Sequence, residues 1–335
     1  MAMTDASTKR ADEARIRTPP LVLLSRYGTL AAFILLVLFN MALTPNFLSW
    51  QTLNVNLTQV ATIVIVATGM TLVIATGGID LSVGSLMAIS GAIAPMIFLG
   101  TLFPIDNVAL AVGLAFVVPV IVAMLFGWFN GFLVTHFSIQ PIVATLVLFI
   151  AGRGIAQVMT NGNLQVFKNP AFQWIAMGHF AGIPAQVLLM IVIAALAYCL
   201  IRFTVIGRQI IAVGGNEKAA RLTGIPVKRV KTLVYVISGA LAGIAGLVVV
   251  GRNSASDANL VGMGMELDAI AAVAVGGSLL TGGRANIFGT LLGAFVIQLV
   301  RYTLLANGVP DAAALIVKAG LIVIAVFIQQ RADKT

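Results

Sequence analysis

A carboxylate in the middle of an apolar stretch is the first residue that invites a chemical reading, and Asp80 stands in that position. It lies in Gly77-Gly78-Ile79-Asp80-Leu81-Ser82-Val83-Gly84, between apolar runs at 58–76 and 83–99 that approach the length of a membrane helix. An ionisable group at membrane depth costs about 2.5–3.5 kcal/mol on insertion scales, so it faces a cavity or a partner. Two roles are open for Asp80. It lines a solute path or steers a broken helix, or it caps the helix beginning at Ser82 by accepting backbone N–H groups. Ser82 carries the same ambiguity. The pair Gly77 and Gly78 breaks the run, and non-helical backbone at membrane depth is tolerated only inside protein or beside a wet cavity. The break therefore marks a pathway.

The other charged residues in apolar surroundings favour structural roles. Glu266 and Asp268 open a later apolar run, where carboxylates suit the positive end of a helix dipole. Two positions apart, they do not share a helical face, which argues against an acid pair for hydrolysis. Arg153 lies deep in its run and is expected to form an ion pair within the bundle, with solute contact as the alternative. Arg301 and Lys318 lie nearer helix ends and are expected to snorkel. The sequence contains no phosphate-binding Gly-x-x-x-x-Gly-Lys-Ser/Thr loop and no Gly-x-Ser-x-Gly nucleophile elbow, and its two histidines, His136 and His179, lack metal-like spacing. No catalytic or metal site is expected.

These residues must be positioned by membrane helices. With 60% hydrophobic and 9% charged residues and a mean hydropathy of +1.05, the chain is not an ordinary water-soluble globule. The net charge of +9 is better explained by cations gathered on one membrane face than by nucleic acid. The lone cysteine, Cys199, excludes an intrachain disulfide. At about 20 apolar residues per crossing, the 335 residues allow about ten spans. They are expected at 27–43, 57–76, 83–99, 108–129, 142–159, 185–201, 232–250, 267–280, 286–306 and 312–328, with a short interfacial piece within 46–56. The expected class is an all-α integral membrane protein with both termini cytoplasmic. A tail at 1–26 precedes the polytopic region 27–331, and a second tail follows at 332–335. On that reading the outward loops hold only Lys168 and Arg252 as cations, in keeping with the inward bias of lysine and arginine.

Two further patterns organise the chain. Ala75-Thr76-Gly77-Gly78 leading to Gly84-Ser85-Leu86 is echoed by Ala274-Val275-Gly276-Gly277 leading to Gly289-Thr290-Leu291, which places a second helix break at Gly276-Gly277. Paired interrupted segments point to a pathway between two halves. The second pattern is the charged stretch 202–231, punctuated by Gly207-Arg208 and by Gly214-Gly215-Asn216. Within it, 217–223 reads as a short helix with Asn216 as N-cap, Glu217, Ala220 and Arg221 on it, and an end at Gly224-Ile225-Pro226. A compact helix between turns suits docking into a groove on another protein. A solvated loop binding lipid phosphates is the alternative.

The motif around Asp80 resembles the signature of membrane permease subunits of bacterial sugar ABC importers, of the ribose, xylose, arabinose and galactofuranose type. Ile139-Gln140-Pro141 with Ala144-Thr145-Leu146 and Gly152-Arg153-Gly154 resembles the family's middle. Gly214-Gly215-Asn216 with Ala219-Ala220-Arg221 resembles its cytoplasmic loop, and Glu266-Leu267-Asp268-Ala269 with Gly282-Gly283-Arg284 its C-terminal half. The resemblance runs from about Pro45 to the end. It implies a multi-pass protein of the bacterial inner membrane that carries a monosaccharide and uses no cofactor. It also implies a separate ATPase subunit docked on 202–231, a periplasmic sugar-binding protein seated on outward loops including 161–184, and a second permease copy or paralogue. A sugar calls for amides and hydroxyls. Gln59, Thr68, Thr71, Thr76, Asn130, Gln140, Thr145 and Gln298 are candidates beside Asp80 and Ser82, although such groups also hold helix to helix. The competing reading is an ion-coupled secondary transporter acting alone. Its mark would be a relay of buried carboxylates or histidines, and here only Asp80 lies deep enough.

Overall fold

The computed structural model describes residues 20–102, 104–310, 312–320 and 323. Most of the expected N-terminal tail, the end of the tenth expected span and the tail at 332–335 lie outside the described residues. The chain folds as an all-α membrane protein, and six helices among the described residues are long and apolar enough to cross a membrane.

Two helices form the centre. α1 (Pro20–Leu43) leads to α2 (Trp50–Ala75), and after the first break comes α3 (Val83–Phe98). Every residue from Val60 to Thr76 and from Ser82 to Pro95 is buried. A helix apolar on all sides must be surrounded by others. α4 (Val108–His136), α5 (Pro141–Met159), α7 (Ala185–Phe203), α10 (Val227–Asn253) and α12 (Ile287–Ala306) surround this pair. α4, α5 and α7 expose Leu125, Ile150, Val158 and Leu196, a perimeter suited to lipid. α11 (Met265–Val275) is a half-length helix, and α13 (312–320) follows α12.

Small residues let the helices approach closely. Gly127 of α4 and Gly239 of α10 face each other, and a Cβ on either would overlap the opposing backbone. Such seams replace the hydrophobic drive that lipid cannot supply between membrane helices.

The two ends of the bundle differ. At one end lie the short helix α6 (Pro170–Met177) and two bridges, β1 (Gln165–Val166) with β4 (Ala255–Ser256) and β2 (His179–Phe180) with β3 (Ile183–Pro184). Phe172 anchors this cap, with ring centroids 4.9 Å from Phe116 and 5.1 Å from Phe98. At the other end lie α8 (Val205–Gly215) and α9 (Glu217–Leu222), rich in cations.

Several expected boundaries are corrected. Residues 50–56 are not a separate interfacial piece: Ser49 caps α2, its Oγ accepting from Thr52 N at 3.2 Å, and no breaker follows. α4 runs on past Phe129 to His136 because the Asn130 amide is bonded sideways and Gly131 admits Thr232 of α10. The eighth expected span stops at Val275. The stretch punctuated by Gly207-Arg208 and Gly214-Gly215 is helix throughout 205–215, capped by Thr204, whose Oγ1 accepts from Gly207 N at 3.1 Å. Gly207 and Gly214 serve close contact rather than turning.

Candidate functional site

α2 ends in a glycine cap. Gly78 N donates to Val73 O at 3.1 Å and Gly77 N to Ile74 O at 2.8 Å, with Gly77 at φ +78°. This is the Schellman arrangement, which needs a left-handed residue and so favours glycine. α11 ends the same way: Ser278 N donates to Val273 O at 3.2 Å and Gly277 N to Ala274 O at 3.0 Å, with Gly277 at φ +79°. The two breaks are therefore structural repeats, and Val73, Ile74, Gly77 and Gly78 correspond to Val273, Ala274, Gly277 and Ser278. The expected pairing of Gly77-Gly78 with Gly276-Gly277 is one residue out of register. Hydrogen bonding fixes the register that letter matching missed.

The breaks also touch. Gly283 N donates to Ala75 O at 3.0 Å, and a Cβ on Gly282 would come within 2.8 Å of Gly77 N. Gly214 of α8 enters the same junction, where a Cβ would overlap the Ala75 carbonyl. Three separated segments thus meet backbone to backbone.

Beyond the first break the polar groups converge. Asp80 Oδ1 accepts from Ser82 N at 3.0 Å and Ser82 Oγ at 2.6 Å, and Asp80 Oδ2 accepts from Ser238 Oγ at 2.8 Å. Ser82 Oγ accepts from Asn130 Nδ2 at 2.8 Å, and Thr145 Oγ1 accepts from Leu81 N at 3.1 Å. Asp80, Ser82, Asn130, Thr145 and Ser238 are all buried. Three hydrogen bonds to one carboxylate offset the cost of its desolvation. The cluster ties the break to α4, α5 and α10, and a helix break joined to three helices can be moved by any of them.

The remaining candidates lie elsewhere. Thr76 bonds back to Val73 O at 2.8 Å. Gln59 accepts from Gln298 Nε2 at 2.6 Å, a second polar contact, between α2 and α12. Thr71 and Thr290 meet at 2.9 Å, and the buried Thr68 hydroxyl has no partner among the described residues. Gln140 is an exposed residue before α5. Thus Asp80, Ser82, Asn130 and Thr145 come together, while Gln59 and Gln140 do not join them. Sequence reading missed Ser238. Its one signal was being the sole serine or threonine between Leu233 and Val250.

Two charged expectations change. Arg153 is not ion-paired among the described residues; Nη1 donates to Ala258 O at 2.8 Å and Val261 O at 2.6 Å, carbonyls of irregular chain with spare acceptors. Lys318 does not snorkel. It pairs with Asp268, both largely buried, joining α13 to α11. Glu266 and Asp268 stand in the first turn of α11, as expected, with Glu266 buried and one of its oxygens against Gly84.

In the 202–231 stretch Asn216 Oδ1 accepts from Ala219 N at 3.0 Å, starting α9 as its sequence suggested. Ile225 N donates to Ala220 O and Gly224 N to Arg221 O, both at 3.1 Å, with Gly224 at φ +83°. Glu217 bonds Lys231 at 2.5 Å and Arg221 at 3.2 Å. The Lys231 hydrogen bond, with help from the Arg221 charge, holds the Glu217 carboxyl below the usual range. Ala220 is buried, whereas Leu222 is 89% exposed. A braced helix offering an apolar tip can dock.

Comparison with known proteins decides the family. Residues 53–326 match the family described as branched-chain amino acid transport system / permease component. The chain belongs to this permease family. It is 38% identical to the galactofuranose transporter permease protein of Escherichia coli (strain K12), covering 90% of this chain and 89% of that one. It is likewise 38% identical to the ribose import permease protein of the same organism, over 90% and 93%. The fructose import permease protein of Bifidobacterium longum (strain NCC 2705) is 39% identical, over 84% and 81%. No solved structure matches. The chain is thus a multi-pass transporter subunit rather than an enzyme.

Proposed function

We propose that this chain is the membrane permease subunit of an ATP-binding-cassette importer, carrying a monosaccharide across a bacterial inner membrane. The alignment with three sugar permeases over most of the chain carries the reading. The secondary-transporter alternative has no comparable support.

In this reading ten spans place both termini in the cytoplasm, and the 27–331 region is the permease. α8 and α9 dock on a separate ATPase through Asn216, Glu217, Ala220, Arg221 and Gly224. Movement of α8 reaches Ala75 and the loop after Gly277 through Gly214, so both breaks respond to ATP together. Asp80, Ser82 and Asn130 hold the first break in one of its positions, with Thr76 in its cap. Gln59 and Gln140 meet the solute toward opposite ends. The cap around α6 exposes Trp174 and Phe180, an apolar surface suited to a periplasmic sugar-binding protein. A second permease copy or paralogue completes the pore.

Uptake in proteoliposomes tests this. ATP-dependent entry of ribose, galactose or fructose, only with the ATPase and binding protein present, is expected. Leucine belongs in the panel because the family's description is of amino acid transport. Leucine uptake without sugar uptake overturns the substrate class. Uptake by this chain alone, driven by a proton or sodium gradient, overturns the ATP coupling.

A further inference from the structure

α7 crosses with 19 residues and reaches Arg202 in its last turn, the level at which such a helix leaves the hydrocarbon. There a groove of about 590 Å³ opens between α7, α8 and the start of α12. Arg202, Arg208 and Arg284 line it, together with Tyr198, Ile201 and Phe288. None of the three guanidiniums has a carboxylate or hydrogen-bond partner among the described residues, and all three residues are exposed. Tyr198 and Phe288 are exposed too, at 48% and 68%. Three unneutralised cations at one point repel each other unless an anion joins them. The walls are apolar, so the anion must carry an apolar body.

We propose that this groove binds an anionic phospholipid, with its phosphate on Arg202, Arg208 and Arg284 and its acyl chains along the exposed faces of α7 and α12. Planar guanidiniums suit phosphate oxygens. Basic pockets between membrane helices on the cytoplasmic side take anionic headgroups, and aromatic rings settle at headgroup level. A groove of the same character recurs between α4 and α10, where Lys228 and Arg229 stand beside Trp128 and Phe132. The assignment also divides the 202–231 stretch: Arg208 serves the bilayer, while α9 faces the ATPase. An anchored α8 would pivot against Ala75 rather than slide.

The test is native mass spectrometry of the full chain released from nanodiscs of phosphatidylethanolamine and phosphatidylglycerol. Retention of phosphatidylglycerol above its share of the bilayer is expected. Each arginine removed should lower that preference about fivefold. Arg284→Gln, a single exposed change, shows one such step, and the triple variant R202Q/R208Q/R284Q loses the preference. K168Q removes a cation at the opposite end and keeps it. Equal retention of both lipids by the unaltered chain overturns the proposal, as does an unchanged preference in R284Q. Displacement of the lipid by equimolar inorganic phosphate would show a phosphate site without lipid selectivity. Protection of the three arginines by the ATPase or by a second copy, with lipid excluded, would make the groove a protein interface.

Discussion

At the residue scale, Asp80 is sustained by its donors. Ser238 bridges it to α10, and hydrogen bonds to charged groups contribute about 1.5–3 kcal/mol. Ser238→Ala should therefore lower stability by about that amount, read as a fall in the thermal midpoint of the purified protein, with membrane insertion unchanged. No change would mean that Asp80 finds another donor. Glu217 gives a pH dependence. Its folded pKa lies below the ordinary 4.5, so its pairing with Lys231 stabilises the fold above pH 4.5. That contribution is lost as pH falls from 4.5 through the lower folded value. Hydrogen exchange of the α9 amides, corrected for intrinsic rate, should be flat down to about pH 5 and rise below it. E217Q should show already reduced protection with little pH dependence. Asp80 and Asn216 were legible from sequence because each stands against a uniform background. Ser238 was not, since a single serine in the apolar part of a helix looks the same whether it bonds a carboxylate or its own backbone.

At the element scale, α11 is half a helix and needs outside support. The Asp268–Lys318 pair ties it to α13. Removing one partner of a buried pair costs about 3–5 kcal/mol, whereas replacing both by apolar residues is often close to neutral. Asp268→Leu should thus lower the thermal midpoint sharply, and D268L/K318L should restore most of it. Additive losses would show that the two charges act separately. α9 offers a second element-scale expectation. Gly224 holds φ +83° with no atom within 4 Å of an added Cβ, so only backbone strain opposes a side chain. Gly224→Ala should cost about 1–2 kcal/mol. Gly224→Pro, which also removes the N–H bonded to Arg221 O, should abolish uptake while leaving insertion intact. Helix existence was readable here from apolar run length. Helix ends were less so, because Asn130-Gly131 and Gly214-Gly215 are turn signals when alone and packing signals when another helix lies against them.

At the scale of the whole molecule, the two breaks and the docking helices form one mechanical unit. Gly214→Ala would push α8 from Ala75, with overpacking worth about 1–3 kcal/mol. Its sharper consequence is functional. ATP hydrolysis by the assembled transporter should continue while sugar uptake falls, since the link between ATPase and breaks is loosened. Uptake equal to that of the unaltered transporter would remove the junction from the coupling route. Uptake and hydrolysis measured together in proteoliposomes separate the two cases.

The sequence by itself determined that this is a helical membrane protein, that its helices break at paired glycines, and that its cations gather in 202–231. Hydrocarbon imposes those features locally, through run length, unsatisfied backbone and the cost of charge, so they are written in consecutive residues. Only the tertiary structure decided that Gly77 answers to Gly277 and that Arg153 is held by carbonyls. It alone brought Lys318 to Asp268 and Ala75, Gly214 and Gly283 to one point. Each is a contact between segments far apart in the chain, and glycine and apolar runs constrain such partners too weakly for linear order to name them.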